Sequence, residues 1–491
     1  MVKGMETMEK LIGIPMELKE RKPYTPPVRM MGGPGPEGEG EPGGPGGPGG
    51  EGGPGGPGGE GGPGGMGEMP ASKTAIIIDR GGISPDSLLE ACEFDEISGD
   101  RVAGVRMVCD DGCTGGILAT GEGTVLTAED ITMRLSGDGF GLGGAISGVS
   151  AEDHAVLTVR RADIVTDGKL RSATSCSGNS VLKVYDSTLV SHGVPWDEKE
   201  KEVTWVAGPG MDKPMVYLEI EGNTRTHCTV MSSETYFYHS TIVADAWAAL
   251  STDAAGDRVY LEANDCHVFT MRSGYGTYAD TKCYVTLNRC DMTLANMAAI
   301  IAGESGVTMR DCYAKCGSYI ALVHCVGGSD TEVSRLDILG GKYVCQDCGV
   351  IVKSENADIR IENADIRSYA GLLVRSRLND DPGATKAGPD VYGIHVTLKD
   401  LKTENGIAHG DPERDMFVHL ENTCLRGPIT GGAIVTLDSE SRWFATADSD
   451  VVLMGEAELG QFDAAEGVVI TMRGPGAGTR TLPSGGTLTV L

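Results

Sequence analysis

One short pattern recurs along this chain and leaves few folds open to it. VLTVRRADI (156–164), VLKVYDSTL (181–189), TYFYHSTIV (235–243), VYLEANDCHV (259–268), YVTLNRCDM (284–292), GVTMRDCYA (306–314), IRIENADIR (359–367), HVTLKDLKT (395–403) and FVHLENTCL (417–425) alternate apolar and variable positions, then turn polar and small. Anchored on the second apolar residue, the series is Val159, Val184, Phe237, Leu261, Leu287, Met309, Ile361, Leu398 and Leu420, with several neighbours 22 to 26 residues apart. The 53-residue step from Val184 to Phe237 fits two repeats, or one repeat carrying an insertion. A second run follows in several units: GGILATGE (115–122), MAAIIAGE (297–304), YIALVHCV (319–326), CGVIVKSE (348–355), AGLLVRSR (370–377) and GGAIVTLD (431–438). A unit this short cannot bury its own apolar face, but stacking units in parallel about 4.8 Å apart does. The expected fold is therefore all-β, a parallel β-solenoid of about 14–16 coils and roughly 70 Å. Helical segments do not alternate with the strands, which argues against a doubly wound α/β fold. An antiparallel sandwich would leave the repeat length unexplained.

Texture divides the chain into an arm at 1–31, a Gly/Pro/Glu-rich tract at 32–70, and the repeat region at 71–491. ISPDSLLEACEF (83–94) predicts a short capping helix, with Ser84 as N-cap and Pro85 at the first helical position. The tract repeats PGGPGGEGG, and its triplet phase holds from Pro42 to Met66. Its composition favours a disordered tether over a collagen-like trimer. If ordered, it would be an extended ribbon with Pro and Glu on one side, docked on the solenoid or on another copy, so the arm points to a homo-oligomer.

Formal charge is −29, from 70 acidic and 41 basic residues. Duplex nucleic acid and anionic membrane surfaces are poor partners for such a chain. No run of 18 apolar residues could span a bilayer. The N-terminus has no signal-peptide core, which predicts a cytoplasmic protein, or a cell-surface one if a leader has been trimmed. The 14 cysteines read as reduced, buried small side chains. The pairs Cys345–Cys348 and Cys109–Cys113 lie too far apart in sequence for an ordinary four-cysteine zinc site. No metal or other cofactor is evident.

The repeat texture over roughly 73–491 resembles the right-handed parallel β-helix, or pectate-lyase-like, superfamily. The closing stretch from LENTCLRGPITGGAIVTLD to TLPSGGTLTVL also resembles adhesin-like β-helix proteins of anaerobic bacteria. The first resemblance implies an Arg or Lys base that removes a proton beside a carboxylate. The second implies a surface or structural role.

Coil stacking turns sequence columns into ladders. On the first strand Tyr185, Tyr236, Tyr238 and Tyr260 fall outward, beside His239 and Glu262, in a chain only 5% aromatic. They could stack on a sugar or planar ring, or simply on one another. On the second strand, aligning Val323, Val352 and Val374 as inward residues puts His324, Lys353 and Arg375 outward, with Glu355 and Arg377 two positions on. Crowded cations attract an anion and can prepare a proton acceptor; neighbouring acids such as Glu304 and Glu355 could equally neutralise them. Long stretches near 191–214, 379–394 and 402–416 read as loop insertions, which in solenoids tend to line a binding face. They contribute His192, Trp196, Trp205 and His409, and NTRTHCTV (223–230) adds His227 on a nearby turn.

The polygalacturonase pattern is incomplete at AHGDPERD (408–415), and no carboxylate pair stands out. Two functions remain. One is an enzyme acting on a polyhydroxylated or carboxylated ring by lyase or isomerase chemistry. Its catalytic residues would be Lys353, His324, Arg375, Tyr238 and His239. Its binding residues would be Tyr236, Tyr185, Tyr260, Trp196, Trp205, His192, Arg377 and His409. The other is a non-catalytic adhesive or structural β-helix assembled through its glycine-rich arm.

Overall fold

The computed structural model describes residues 10–14, 72–139, 146–194, 216–253, 257–324, 332–379 and 391–491. The Gly/Pro/Glu tract and both tryptophans of the first insertion, Trp196 and Trp205, lie outside the described residues. The described residues all fall in one compact unit. Apart from single 3-10 turns, its described elements are strands. None of its described helices is long and apolar enough to cross a membrane.

Nearly all pairing is parallel and joins each strand to its equivalent one repeat later, an arrangement consistent with a β-helix. The strands fall into three ladders. The first runs from Arg101–Ala103 to Thr487–Val490. The second begins at Arg106–Cys109 and is taken up after Asp365–Ser368 by Lys402–Thr403 through Phe462–Ala464. The third is a 14-stranded sheet from Gly82–Ile83 and Lys73–Asp79 to Ile429–Thr430. Two long strands, Val125–Ser136 and Val156–Asp167, serve the first and second ladders at once, and in later coils a turn divides the two.

That turn explains the polar-then-small ending of the repeat. Asp130, Arg161, Asp186, His239, Asp265, Arg289, Asp311, Asn363, Asp400 and Asn422 occupy it, all left-handed with φ between 46° and 56°. Asp and Asn tolerate this conformation best among non-glycine residues. Where Arg or His stands instead, it pairs with the acid one coil before: Arg161 with Asp130 at 2.7 Å, His239 with Asp186 at 3.8 Å, Arg289 with Asp265 at 2.7 Å. The next residue turns into the corner and is small in most coils, with Ile131 and Leu401 as larger exceptions. Ser187, Ser240, Cys266, Cys290 and Cys312 stack there, buried.

The register matches the sequence expectation with two corrections. Val159, Val184, Phe237, Leu287, Met309, Ile361, Leu398 and Leu420 do form one inward column. Ala263, not Leu261, stands between Phe237 and Leu287, and Ile338 completes the series. GGAIVTLD belongs to the first ladder rather than the third, because Ala433–Leu437 pairs with Met416–Glu421. The 53-residue step is one coil with an insertion, since Val184 sits directly beside Phe237. The stretch 402–416 is no insertion; it holds strands of the second and third ladders and one turn.

The capping helix shrinks to a single 3-10 turn, Leu89–Ala91. Its start is pinned elsewhere: Ser87 Oγ accepts from Ile77 N and donates to the Ile77 carbonyl, while Leu88 N bonds the Thr74 carbonyl. At the other end of the ladders, Lys10–Ile12 of the arm pairs antiparallel with Glu456–Glu458 and buries Leu11. Gly13 follows because any β-carbon there would lie 2.5 Å from the Leu453 carbonyl oxygen.

Cys345 faces the interior and Cys348 the outer cluster, so the pair cannot act as one metal knuckle. Among the described residues no three His, Cys, Asp or Glu side chains converge as metal ligands.

Candidate functional site

The third ladder has an apolar column on each face. Ile301, Val323, Val350 and Val352 point into the main core, as alternation requires. Ile300, Leu322 and Ile351 point outward, yet they too are buried. They belong to a second cluster with Trp247, Tyr275, Met297 and Tyr319, closed by Leu218 and Ile220. The described end of the first insertion, Val216–Leu218 and the residues after it, therefore lies across this outer face. Hydrogen bonds fix it there. Asn296 Nδ2 donates to the Glu219 carbonyl at 3.2 Å, and Glu221 N donates to Ser273 Oγ at 2.8 Å. Asn223 clamps the insertion's base by exchanging bonds with Val194.

Lys353 and His324 sit under this cover. They are Cα partners at the ends of Val350–Lys353 and Ala321–His324, at 0% and 1% exposure. Lys353 Nζ donates to the Tyr217 carbonyl at 2.8 Å and pairs with Glu219 Oε1 at 3.1 Å. Arg377 Nη2 donates to the same oxygen at 2.8 Å. Tyr319 Oη donates to Glu219 Oε2 at 2.9 Å. One carboxylate is thus held by an ammonium, a guanidinium and a phenol. Burial, then the Glu219 charge, push the Tyr319 hydroxyl's pKa up, which keeps it a donor. His324 is neutral, because burial and then the Lys353 charge push its pKa down to about 3. Neither of its ring nitrogens has a hydrogen-bond partner among the described residues.

The expected cation column needs one correction. Arg377, not Arg375, continues His324 and Lys353, because Val350 rather than Val352 pairs with Val374. Arg375 aligns with Ile351 and meets Asp347 at 3.4 Å, about one-third exposed. Glu219 supplies counter-charge here, and the sequence alone did not single it out. LEIEGN (218–223) gave a weak signal, two apolar residues alternating with acids directly after the insertion.

The tyrosines lie on another sheet, the outer face of the first ladder. Tyr185 and Tyr238 stack, centroids 4.7 Å apart and 8° from parallel, with the Arg160 guanidinium over Tyr185 at 4.3 Å. Tyr260 pairs by backbone with Glu234, Glu262 with Tyr236, and Asn264 with Tyr238, so the four tyrosines do not form one continuous column. Tyr236 and Tyr260 are tilted partners at 5.8 Å, their hydroxyls donating at 2.7 Å to Glu234 and Glu262. His239 lies exposed in the turn. His192 ends the strand Thr188–His192 on the second ladder.

His409, half-buried, meets Ser376 Oγ through Nδ1 at 2.8 Å. His227 is not on a turn but inside the strand Thr224–Thr229, satisfied by Thr174 and Thr229 at 2.9 and 2.6 Å. Beyond Lys353, Glu355 is buried at the corner between third and first ladders. Burial pushes its pKa up to about 8, with the Arg414 charge opposing. A cavity of about 470 Å³ near the N-terminal coils, lined by Glu90, Cys92, Arg106 and Arg134 among others, contains none of the expected site residues.

Most of the expected residues thus fall into two separate groups. His324, Lys353 and Arg377 come together with Glu219 and Tyr319; the tyrosines form a separate group. Compared with known proteins, the chain matches no family model and no curated protein.

Proposed function

We propose that the chain is a right-handed parallel β-helix of the pectate-lyase-like kind, and that the outer face of its third ladder binds and transforms a carboxylated, polyhydroxylated ring. The observation that carries this reading is the clasp of Lys353, Arg377 and Tyr319 on a single carboxylate. Two cations drawing charge from a bound carboxylate acidify the hydrogen on its α-carbon. Removal of that hydrogen is the first step of a lyase or isomerase. His324 is the proton acceptor in this reading, a role that needs the bound carboxylate to offset the Lys353 charge that otherwise opposes its protonation. Lys353 and Arg377 bind, and the tyrosines of the first ladder are surface structure.

The test is turnover of uronides and polyphenols by the purified full chain, compared with Arg377→Met and His324→Asn. Turnover by the native chain and its loss in both variants is the expected result. Activity unchanged in both variants removes this face from the chemistry.

Two observations favour a second reading, an adhesive or structural β-helix assembled through its arm. Lys353 is wholly covered, and the arm's strand Lys10–Ile12 docks on the C-terminal coils. A protein without turnover that associates only while residues 1–14 are present would support it.

A further inference from the structure

We infer that Glu219 is an internal stand-in for a ligand, and that the clasp it occupies is a binding site for a hydroxy-carboxylate. This rests on the functional reading only in placing the ligand on the same face. Lys353 and Arg377 bring two positive charges to Oε1, and Glu219 returns one negative charge. An ammonium, a guanidinium and a phenol converging on one carboxylate are the donor set that a bound carboxylate needs.

The stand-in can leave without unfolding its segment. Leu218 and Ile220 are buried in the outer cluster and anchor the backbone on both sides. The Glu219 side chain between them is one-third exposed, and its backbone holds the left-handed φ of 59° that side chains adopt reluctantly. Rotation about its own side-chain torsions opens the clasp to solvent. An incoming carboxylate then takes the same three donors, and an adjacent hydroxyl meets His324, whose two ring nitrogens have no partner among the described residues. A buried polar group left in this way carries a desolvation cost that a ligand hydroxyl removes.

The experiment compares the native chain with Glu219→Ala and Glu219→Gln. Sodium acetate, sodium glucuronate and glucose are the probes, with sodium chloride matching ionic strength. Glu219→Ala should melt lower than the native chain. Acetate should raise its Tm by about 3 °C over chloride and move the native chain by less than about 1 °C. Glucuronate should bind Glu219→Ala at least tenfold more tightly than the native chain, and glucose should bind neither. Adding Arg377→Met should abolish the acetate shift. If Glu219→Ala does not fold, Glu219→Gln keeps the side-chain length and serves the binding measurement. Equal shifts in acetate and chloride, or an acetate shift that survives Arg377→Met, overturn the inference. Absence of glucuronate turnover alongside a specific acetate shift would count only against the enzymatic reading.

Discussion

The outer faces of the first and third ladders obey the same pleat and end in opposite states. On the first, Tyr185, Tyr236, Tyr238 and Tyr260 find their partners on their own sheet: one another, or the acids Glu234 and Glu262. On the third, the outward apolar residues together with His324 and Lys353 are covered by a segment from another coil that carries Glu219, and Arg377 closes the row at the edge of that cover. A strand pattern tells which residues point away from the core. It does not tell whether water or protein meets them. A conspicuous aromatic row is therefore the plainer face here, and in a cationic row that looks surface-exposed, His324 and Lys353 are interior.

That contrast can be broken, beginning with the largest effect. Trp247 is 2% exposed in the outer cluster, under the Arg225 guanidinium at 4.2 Å. Trp247→Ala should cost about 3–5 kcal/mol in denaturant unfolding. A loss below about 1 kcal/mol would mean that this face is open.

The ion cluster gives the next test. Glu219→Gln leaves buried Lys353 without its carboxylate and should cost about 2 kcal/mol, whereas Lys353→Met, which removes the buried charge itself, should change stability by less than about 1 kcal/mol. Equal losses would show that the cluster is an ordinary surface pair.

Acid should act through the covered histidines. His227 and His324 are held neutral with pKa values of about 3, below the ordinary 6.5. The unfolded chain takes up their protons first as pH falls, so the stability present above 6.5 drains away down to about 3, at about 1.4 kcal/mol per pH unit for each residue. Glu355, raised to about 8, has the opposite sign: its contribution is full below the ordinary 4.5 and is lost as pH rises through 8. His324→Leu should flatten the acid limb by one residue's slope in unfolding midpoints measured from pH 7 to 4. An unchanged limb would place His324 in water.

The smallest effect belongs to the first ladder. Tyr238→Ala should cost about 0.5–1 kcal/mol, the value of one cross-strand aromatic pair. A loss above about 2 kcal/mol would make this face as enclosed as the third.

The sequence by itself determined the stacking. Inward positions accept only apolar residues of coil-compatible size, so Val184, Leu287 and Leu398 announce their column. The turn accepts only residues that tolerate positive φ, so Asp186, Asp265 and Asn363 announce the corner. Even the misplaced Leu261 has a physical source. Leu261 and Ala263 both point inward, and a two-residue shift preserves alternation. The same ambiguity put Arg375 where Arg377 stands. What only the tertiary structure decided is the covering of the third ladder. Glu219 reaches Lys353 across 134 positions of sequence, through a segment laid over several coils. Local patterns record which side of a strand is apolar. They carry no record of which distant loop comes to rest there, because that contact depends on where the intervening coils have already stacked.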